Sequence, residues 1–284
     1  MHKCKRSGCG ADIGFWENCC RVCGEFHSYP NVRKARDERE ALLRLYADAM
    51  GQAERSGLRG QAARLEKIGL KSRVVVNTDL DTIVFLAQDV RKNYAPYLRQ
   101  VAAGVRKPAQ EQHHRDRRVV DSALFPGYED KIVFGALTGG WLGLRNYGKV
   151  AMFLKEAVAQ KRVSLLIENS FKVFDKHFKW GRPFPSGYRA VWDDRSRLIV
   201  VKLTERLKAN ATEDELGGLI LRQGASREKD EFIEVHIFDT FDLRAVECVR
   251  LMSRLHAKAE RKRWRLTREL LEEAGVPVRE DVPI

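Results

Sequence analysis

The sequence predicts an α+β protein: an N-terminal zinc knuckle and helical segment, then a mostly antiparallel β-sheet with flanking helices. Three observations predict it. Five of the six cysteines fall in the first 23 residues. Residues 31–69 carry apolar side chains at helical spacing. From about residue 131, short apolar runs alternate with turn-like segments. The chain divides accordingly into 1–30, a zinc-binding knuckle, 31–121, a helical connector, and 122–284, an α+β domain.

The knuckle comes first. In KCKRSGCGADIGFWENCCRVCG, four residues lie between Cys4 and Cys9, two between Cys20 and Cys23, and ten between the pairs. Zinc takes four thiolate or imidazole ligands tetrahedrally, and two short chelating turns supply them in twos. Gly10 and Gly24 directly follow the second cysteine of each pair. Glycine there lets backbone amides turn toward the sulfurs. A segment this short buries too little surface to fold without a staple. Structural zinc on Cys4, Cys9, Cys20 and Cys23 is therefore expected, with Cys19 or His27 as alternative ligands. Clustering at one end of the chain argues against a disulfide framework.

In 31–69, Leu42, Leu45, Tyr46 and Ala49 keep one helical face. Gly51, Gly57 and Gly60 are candidate breaks. Val74–Val76 reads as a short strand, Asp79 or Asp81 as the cap of the next helix, and Pro96 as a bend in it. Residues 107–121 are polar and basic, an exposed loop or a charged helix start. KIVFGAL, VAMFL, VSLLI, LIVVKL and EFIEVHIF read as strands, with helices near 155–161 and 213–222. Residues 243–274 read as one or two basic helices, with Cys248 alone on an apolar helix face.

EFIEVHIF spans 231–238. As a strand it sets Ile233, Val235 and Ile237 on one face and Glu234 and His236 on the other. Those two either meet water or line a site. VSLLI ends at Glu168-Asn169-Ser170, where polar side chains can meet a ligand or cap the next helix. His177, Phe178, Trp180 and Tyr188 mix aromatic and basic character. They fit a stacking surface for bases or a core equally well.

Lys+Arg 52 against Asp+Glu 39 give a formal net charge of +13. Such an excess favours polyanions, nucleic acid (RNA or DNA) first. No apolar run approaches the roughly 20 residues of a membrane helix. The N-terminus lacks the apolar segment of a secretory signal. A cytoplasmic protein without membrane attachment is expected.

The order FGAL, then NYGKVAMFLKEAVAQKRVSLLIENS, then FIEVHI resembles the pattern of bacterial and phage proteins related to ADP-ribosyltransferase-fold toxins. Those chains show a tyrosine-glycine turn before a strand. An Arg-x-Ser/Thr strand then ends in a short polar triplet, and a late strand carries Glu-x-Gln/Glu/His. The match covers about residues 125–240. The resemblance implies NAD as substrate, cleaved at the nicotinamide–ribose bond, and a toxin or phage-defence role with an antitoxin or regulatory protein as partner. It implies that Glu234 stabilises the oxocarbenium-like ribose, His236 orients substrate, and Tyr147 stacks on the nicotinamide. Ser164, Asn169 and Ser170 would then support the pocket, and Lys131 or Arg162 would bind pyrophosphate. The sequence departs from the pattern in lacking a Ser-Thr-Ser triplet and an arginine in KIVFGAL.

Two other functions fit the same residues. One is a metal-independent ribonuclease with His236, Tyr147 and a lysine such as Lys131 as acid, base and charge stabiliser. The other is a non-catalytic, zinc-containing nucleic-acid-binding protein.

Overall fold

The structure is a computed structural model and describes residues 2–107, 111–178, 181–182 and 184–280. A small hairpin, β1 (His2–Lys3) with β2 (Asp12–Ile13), opens the cysteine module. Three helices follow: α1 (Pro30–Asp37), α2 (Arg39–Arg55) and α3 (Arg59–Leu70). Of the three candidate glycine breaks, only Gly57 separates helices, with φ +70°. Gly51 and Gly60 lie inside α2 and α3.

The rest of the chain builds one eight-stranded sheet. Its strands are β3 (Arg73–Thr78), β4 (Ile132–Thr138), β5 (Val150–Leu154), β6 (Val163–Leu166), β7 (Arg189–Val191), β10 (Glu234–Phe238), β11 (Val246–Leu251) and β12 (Val278–Glu280). Their order is β12-β11-β5-β3-β4-β10-β6-β7. Only β11 and β12 pair in parallel; every other neighbouring pair is antiparallel. A separate two-stranded ribbon joins β8 (Leu221–Arg222) to β9 (Glu231–Phe232). The helices are α4 (Leu80–Ala87), α5 (Tyr97–Ala102), α6 (Glu111–Leu124), α7 (Glu156–Arg162), α8 (Ser170–Lys176), α9 (Arg195–Leu203), α10 (Glu213–Ile220) and α11 (Lys258–Glu273). Among the described residues, no helix is long and apolar enough to cross a membrane.

The strand β3 sits between β5 and β4, so the 31–121 segment contributes a central strand of the sheet. Asp79 caps α4 by accepting from Thr82 N at 2.7 Å, and Asp81 falls inside that helix. Pro96 does not bend a helix; α4 ends at Ala87, and Pro96 precedes α5. Residues 111–124 are helical, so the basic stretch is a helix start.

Two segments differ from the sequence reading. LIVVKL is not a strand but part of α9, where Leu198, Ile199, Val200 and Leu203 are all buried. A short run of apolar residues buried on several sides has no period to separate helix from strand. Conversely, VECVRL is not helical but forms β11, and Cys248 is buried on that strand. Its apolar residues also fall at helix-compatible intervals, and the segment pairs as a strand between β5 and β12.

The two sheet faces are covered differently. One face carries Val74, Val76, Val133, Leu137, Met152, Val163, Leu165, Val235 and Ile237, packed into one core with residues of α2, α3, α4, α9, α10 and α11. The opposite face is divided. Val75, Ala136, Ala151, Phe153 and Cys248 pack with Leu144 and Phe232. Ile132, Leu166 and Phe238 pack with Val120, Leu124 and Phe125, and Phe134 packs alongside them.

Candidate functional site

The strand β10 is interior, between β4 and β6. Glu234 stands opposite Ala136 and Leu166, and His236 opposite Phe134 and Ser164. Residues directly opposite across a ladder share a face. Glu234 and His236 therefore lie on the divided face, as their alternation with Val235 and Ile237 requires. Neither meets water: they are 2% and 1% exposed.

Glu234 is fully engaged. Its Oε1 lies 2.8 Å from His236 Nε2. Its Oε2 accepts from Ser170 N and Ser170 Oγ, both at 3.2 Å. Ser170 opens α8, so the carboxylate meets a helix N-terminus, where an anion is favoured. Burial pushes the Glu234 carboxyl up, but His236, Arg117 and the Ser170 amide outweigh it and hold it below the ordinary range. Burial holds the His236 imidazole below its ordinary range despite Glu234 beside it. At neutral pH the pair is carboxylate and neutral imidazole, with Nε2–H donating to Glu234.

Asn169 caps α8 by accepting from Phe171 N at 2.9 Å, and its Nδ2 donates to Tyr147 Oη at 3.5 Å. The Tyr147 ring meets Phe232 edge-on at 5.9 Å and lies under the Arg227 guanidinium at 5.1 Å. Burial, then Glu234 and Asp230, push its phenol well above the ordinary range. The Tyr-Gly turn is set by packing: a Cβ on Gly148 would stand 2.2 Å from Thr78 O. Ser164 Oγ accepts from Asn31 Nδ2 at 3.2 Å.

The structure thus brings together Glu234, His236, Tyr147, Ser164, Asn169 and Ser170. It does not bring Lys131 or Arg162 to them. Lys131 precedes Ile132, which pairs with Phe238 at the other end of β10. Four residues of strand put that end roughly 13 Å from Glu234. Arg162 is committed there, donating through Nε to Phe238 O at 2.8 Å and through Nη2 to Thr240 O at 2.6 Å. The cation near Glu234 is instead Arg117 of α6, which pairs with Asp121. Sequence reasoning missed both. Their spacing of four with Val120, Leu124 and Phe125 alongside was the available signal.

The cysteine module forms a second centre. The Sγ atoms of Cys4, Cys9, Cys20 and Cys23 all lie within 4.8 Å of one another. Cys4 to Cys23 is 3.5 Å and Cys9 to Cys20 is 3.7 Å. Zinc–sulfur bonds of ~2.3 Å in a tetrahedron put sulfurs ~3.8 Å apart, so the donor set fits such an ion. Gly10 and Gly24 have φ of +58° and +74°, the left-handed turns the knuckle needs. Cys19 is exposed and lies outside the quartet. His27 also lies outside it, with Nε2 3.2 Å from Cys4 Sγ.

The module docks beside the Glu234 face. Arg33 of α1 donates to the carbonyls of Ser28 (2.6 Å), Phe15 (2.8 Å) and Glu17 (2.6 Å). From the same helix, Asn31 Nδ2 reaches His236 O at 3.0 Å and Arg162 O at 3.1 Å. The stretch from His177 to Tyr188 is largely a packing cluster: Phe174 stacks on Phe178, and His177 meets Phe184 and Tyr188 edge-on. Trp180 lies outside the described residues. Two hollows among the described residues lie elsewhere. One, of about 250 Å³, is lined by the end of α2, Ser56, Leu58, Thr204, Glu205 and Leu207; the other, of about 270 Å³, by Asp79–Asp81, Gly148, Lys149, Glu260 and Arg263. No protein-family model matches the chain, and no curated protein matches it.

Proposed function

We propose that the protein is a mono-ADP-ribosyltransferase that uses NAD to modify a nucleic acid or a nucleic-acid-associated target. One observation carries this reading: the buried Glu234 carboxyl lies 2.8 Å from His236 Nε2 and accepts from the Ser170 amide and hydroxyl at the start of α8. A buried charge is costly even when it is hydrogen-bonded, and such groups cluster at functional sites. A carboxylate so fixed can stabilise the positive charge of an oxocarbenium-like ribose as nicotinamide departs. Glu234 takes that role, His236 orients it through Nε2, and Ser170 and Asn169 fix the loop beside it. Glu234 is buried, so this reading requires the cover of α6 and α8 to part for substrate to enter. Zinc on Cys4, Cys9, Cys20 and Cys23 staples the module that docks on this face, and the net charge of +13 recruits the polyanionic target.

The test incubates metal-analysed protein with labelled NAD and RNA, DNA or protein acceptors. Label transfer that disappears in Glu234→Gln, with the fold retained, is the expected result. Transfer undiminished in that variant removes Glu234 from the chemistry, and protein purified without zinc removes the metal assignment.

The closed cover favours a second reading, a non-catalytic zinc-containing nucleic-acid binder. Retention of RNA or DNA with steep salt dependence, without label transfer, selects it. The ribonuclease alternative is weakened because Lys131 stands at the far end of β10 from Glu234.

A further inference from the structure

Helix α6 lays a charged pair over the Glu234 face. Arg117 Nε donates to Asp121 Oδ2 at 2.9 Å, one turn along the helix. The Arg117 and Asp121 side chains are 11% and 1% exposed. The guanidinium sits 3.4 Å from the ring centre of Phe134 and 5.4 Å from that of Phe171. A side-on guanidinium–carboxylate pair ordinarily makes two parallel bonds. Here one is made. Arg117 Nη2 and Asp121 Oδ1 are both buried, and among the described residues neither has a hydrogen-bond partner. His236 Nδ1 is likewise buried without a partner among the described residues, its ring 4.6 Å from Phe125 and 5.5 Å from Phe134. Since Nε2–H donates to Glu234, Nδ1 is an acceptor. One donor and two acceptors are thus left open among aromatic rings, where unmade hydrogen bonds are expensive.

We propose that Arg117 and Asp121 form the substrate-recognition dyad of the Glu234 site. They bind a substrate group that accepts one hydrogen bond and donates another, a carboxamide or a sugar hydroxyl. The inference rests on the NAD reading, since NAD carries both groups. Arg117 Nη2–H donates to the oxygen, and Asp121 Oδ1 accepts from the N–H or O–H. The aromatic faces around the guanidinium fix its plane, so the open edge is preorganised.

Calorimetric titration of the intact zinc-containing protein with nicotinamide and, separately, with ADP-ribose tests this. The key variant is the double replacement Arg117→Met with Asp121→Leu. Removing both partners together leaves neither member of this pair unpaired, and Glu234 keeps its hydrogen bonds to Ser170 and His236, so the fold is retained. The expected result is a loss of about tenfold or more in affinity for one of the two ligands, the value of a hydrogen bond to a charged group. Loss for nicotinamide identifies the carboxamide; loss for ADP-ribose identifies the hydroxyl. Arg117→Lys keeps the charge but not the planar edge, and is expected to weaken the same ligand. Unchanged affinities for both ligands in both variants overturn the dyad, and the NAD reading survives if label transfer persists. If the unaltered protein binds neither ligand, the NAD reading falls and the dyad with it.

Discussion

Successive residues of β10 meet two unlike coverings. Val235 and Ile237 enter an apolar core roofed by several helices. Glu234 and His236, one step along the same backbone, enter a polar pocket of residues from α6 and α8, rimmed by phenylalanines. The first face shows what stabilises the sheet. The second spends burial on charge, which apolar packing would serve better. The difference separates what the fold needs from what a site needs, and it can be tested one face at a time.

The largest effect is expected on the apolar face. Ile237 is fully buried. Ile237→Ala removes buried methylenes and leaves a cavity, at a cost of roughly 2–5 kcal/mol. Denaturant unfolding measures it. A cost below about 1 kcal/mol would mean that this face is loosely packed, and the contrast between faces would lose its reference.

A comparable effect is tied to pH on the polar face. Burial pushes the Asp121 carboxyl up from 3.8 to about 6; Arg117 pulls it down, and Glu234 and Glu129 push it further up. The folded protein therefore keeps a proton that the unfolded chain has released between pH 4 and pH 6. A raised acid contributes stability that is present below its unfolded pKa and lost as pH rises through its folded one. Stability is expected to fall across that window and flatten above it, by about 3 kcal/mol for a shift of about two units. His236 acts the other way. Its depressed pKa gives stability that is present above 6.5 and lost as pH falls. Comparing the protein with Asp121→Asn at each pH isolates the Asp121 slope. An identical profile in the variant would show that Asp121 titrates as it does in the unfolded chain.

Much of this contrast was legible in the sequence, because β-strand alternation alone assigns Glu234 and His236 to one face and Val235 and Ile237 to the other. The four cysteines were legible for the same reason: their spacing is local chemistry. What was not legible depends on contacts distant in sequence. Nothing local in RLIVVKL separates a buried helix from a buried strand. Lys131 and Arg162 looked like phosphate ligands because their sequence neighbours were right. Only the antiparallel register of β10 shows that they stand at the wrong end of the strand. Arg117 reaches the site by packing from a helix more than a hundred residues before Glu234.

The smallest stability change is expected where the chemistry is densest, and it decides whether the second face is built for function. His236→Phe alone leaves the Glu234 carboxylate buried without its 2.8 Å partner. Losing a buried hydrogen bond to a charged group in this way costs about 1.5–3 kcal/mol. Phenylalanine itself fits, since His236 already lies edge-on between Phe125 and Phe134. Adding Glu234→Leu removes the stranded charge beside Leu166 and Ala136. It also strips Ser170 of two hydrogen bonds, and that loss offsets part of the relief. The double variant is therefore expected within about 1 kcal/mol of the unaltered protein, above the single. Thermal and denaturant unfolding of the unaltered protein, the two single variants and the double variant gives the coupling directly. If the double variant is as unstable as the single, Glu234 and His236 hold the sheet together as Val235 and Ile237 do, and the polar face carries no excess charge for a substrate to use.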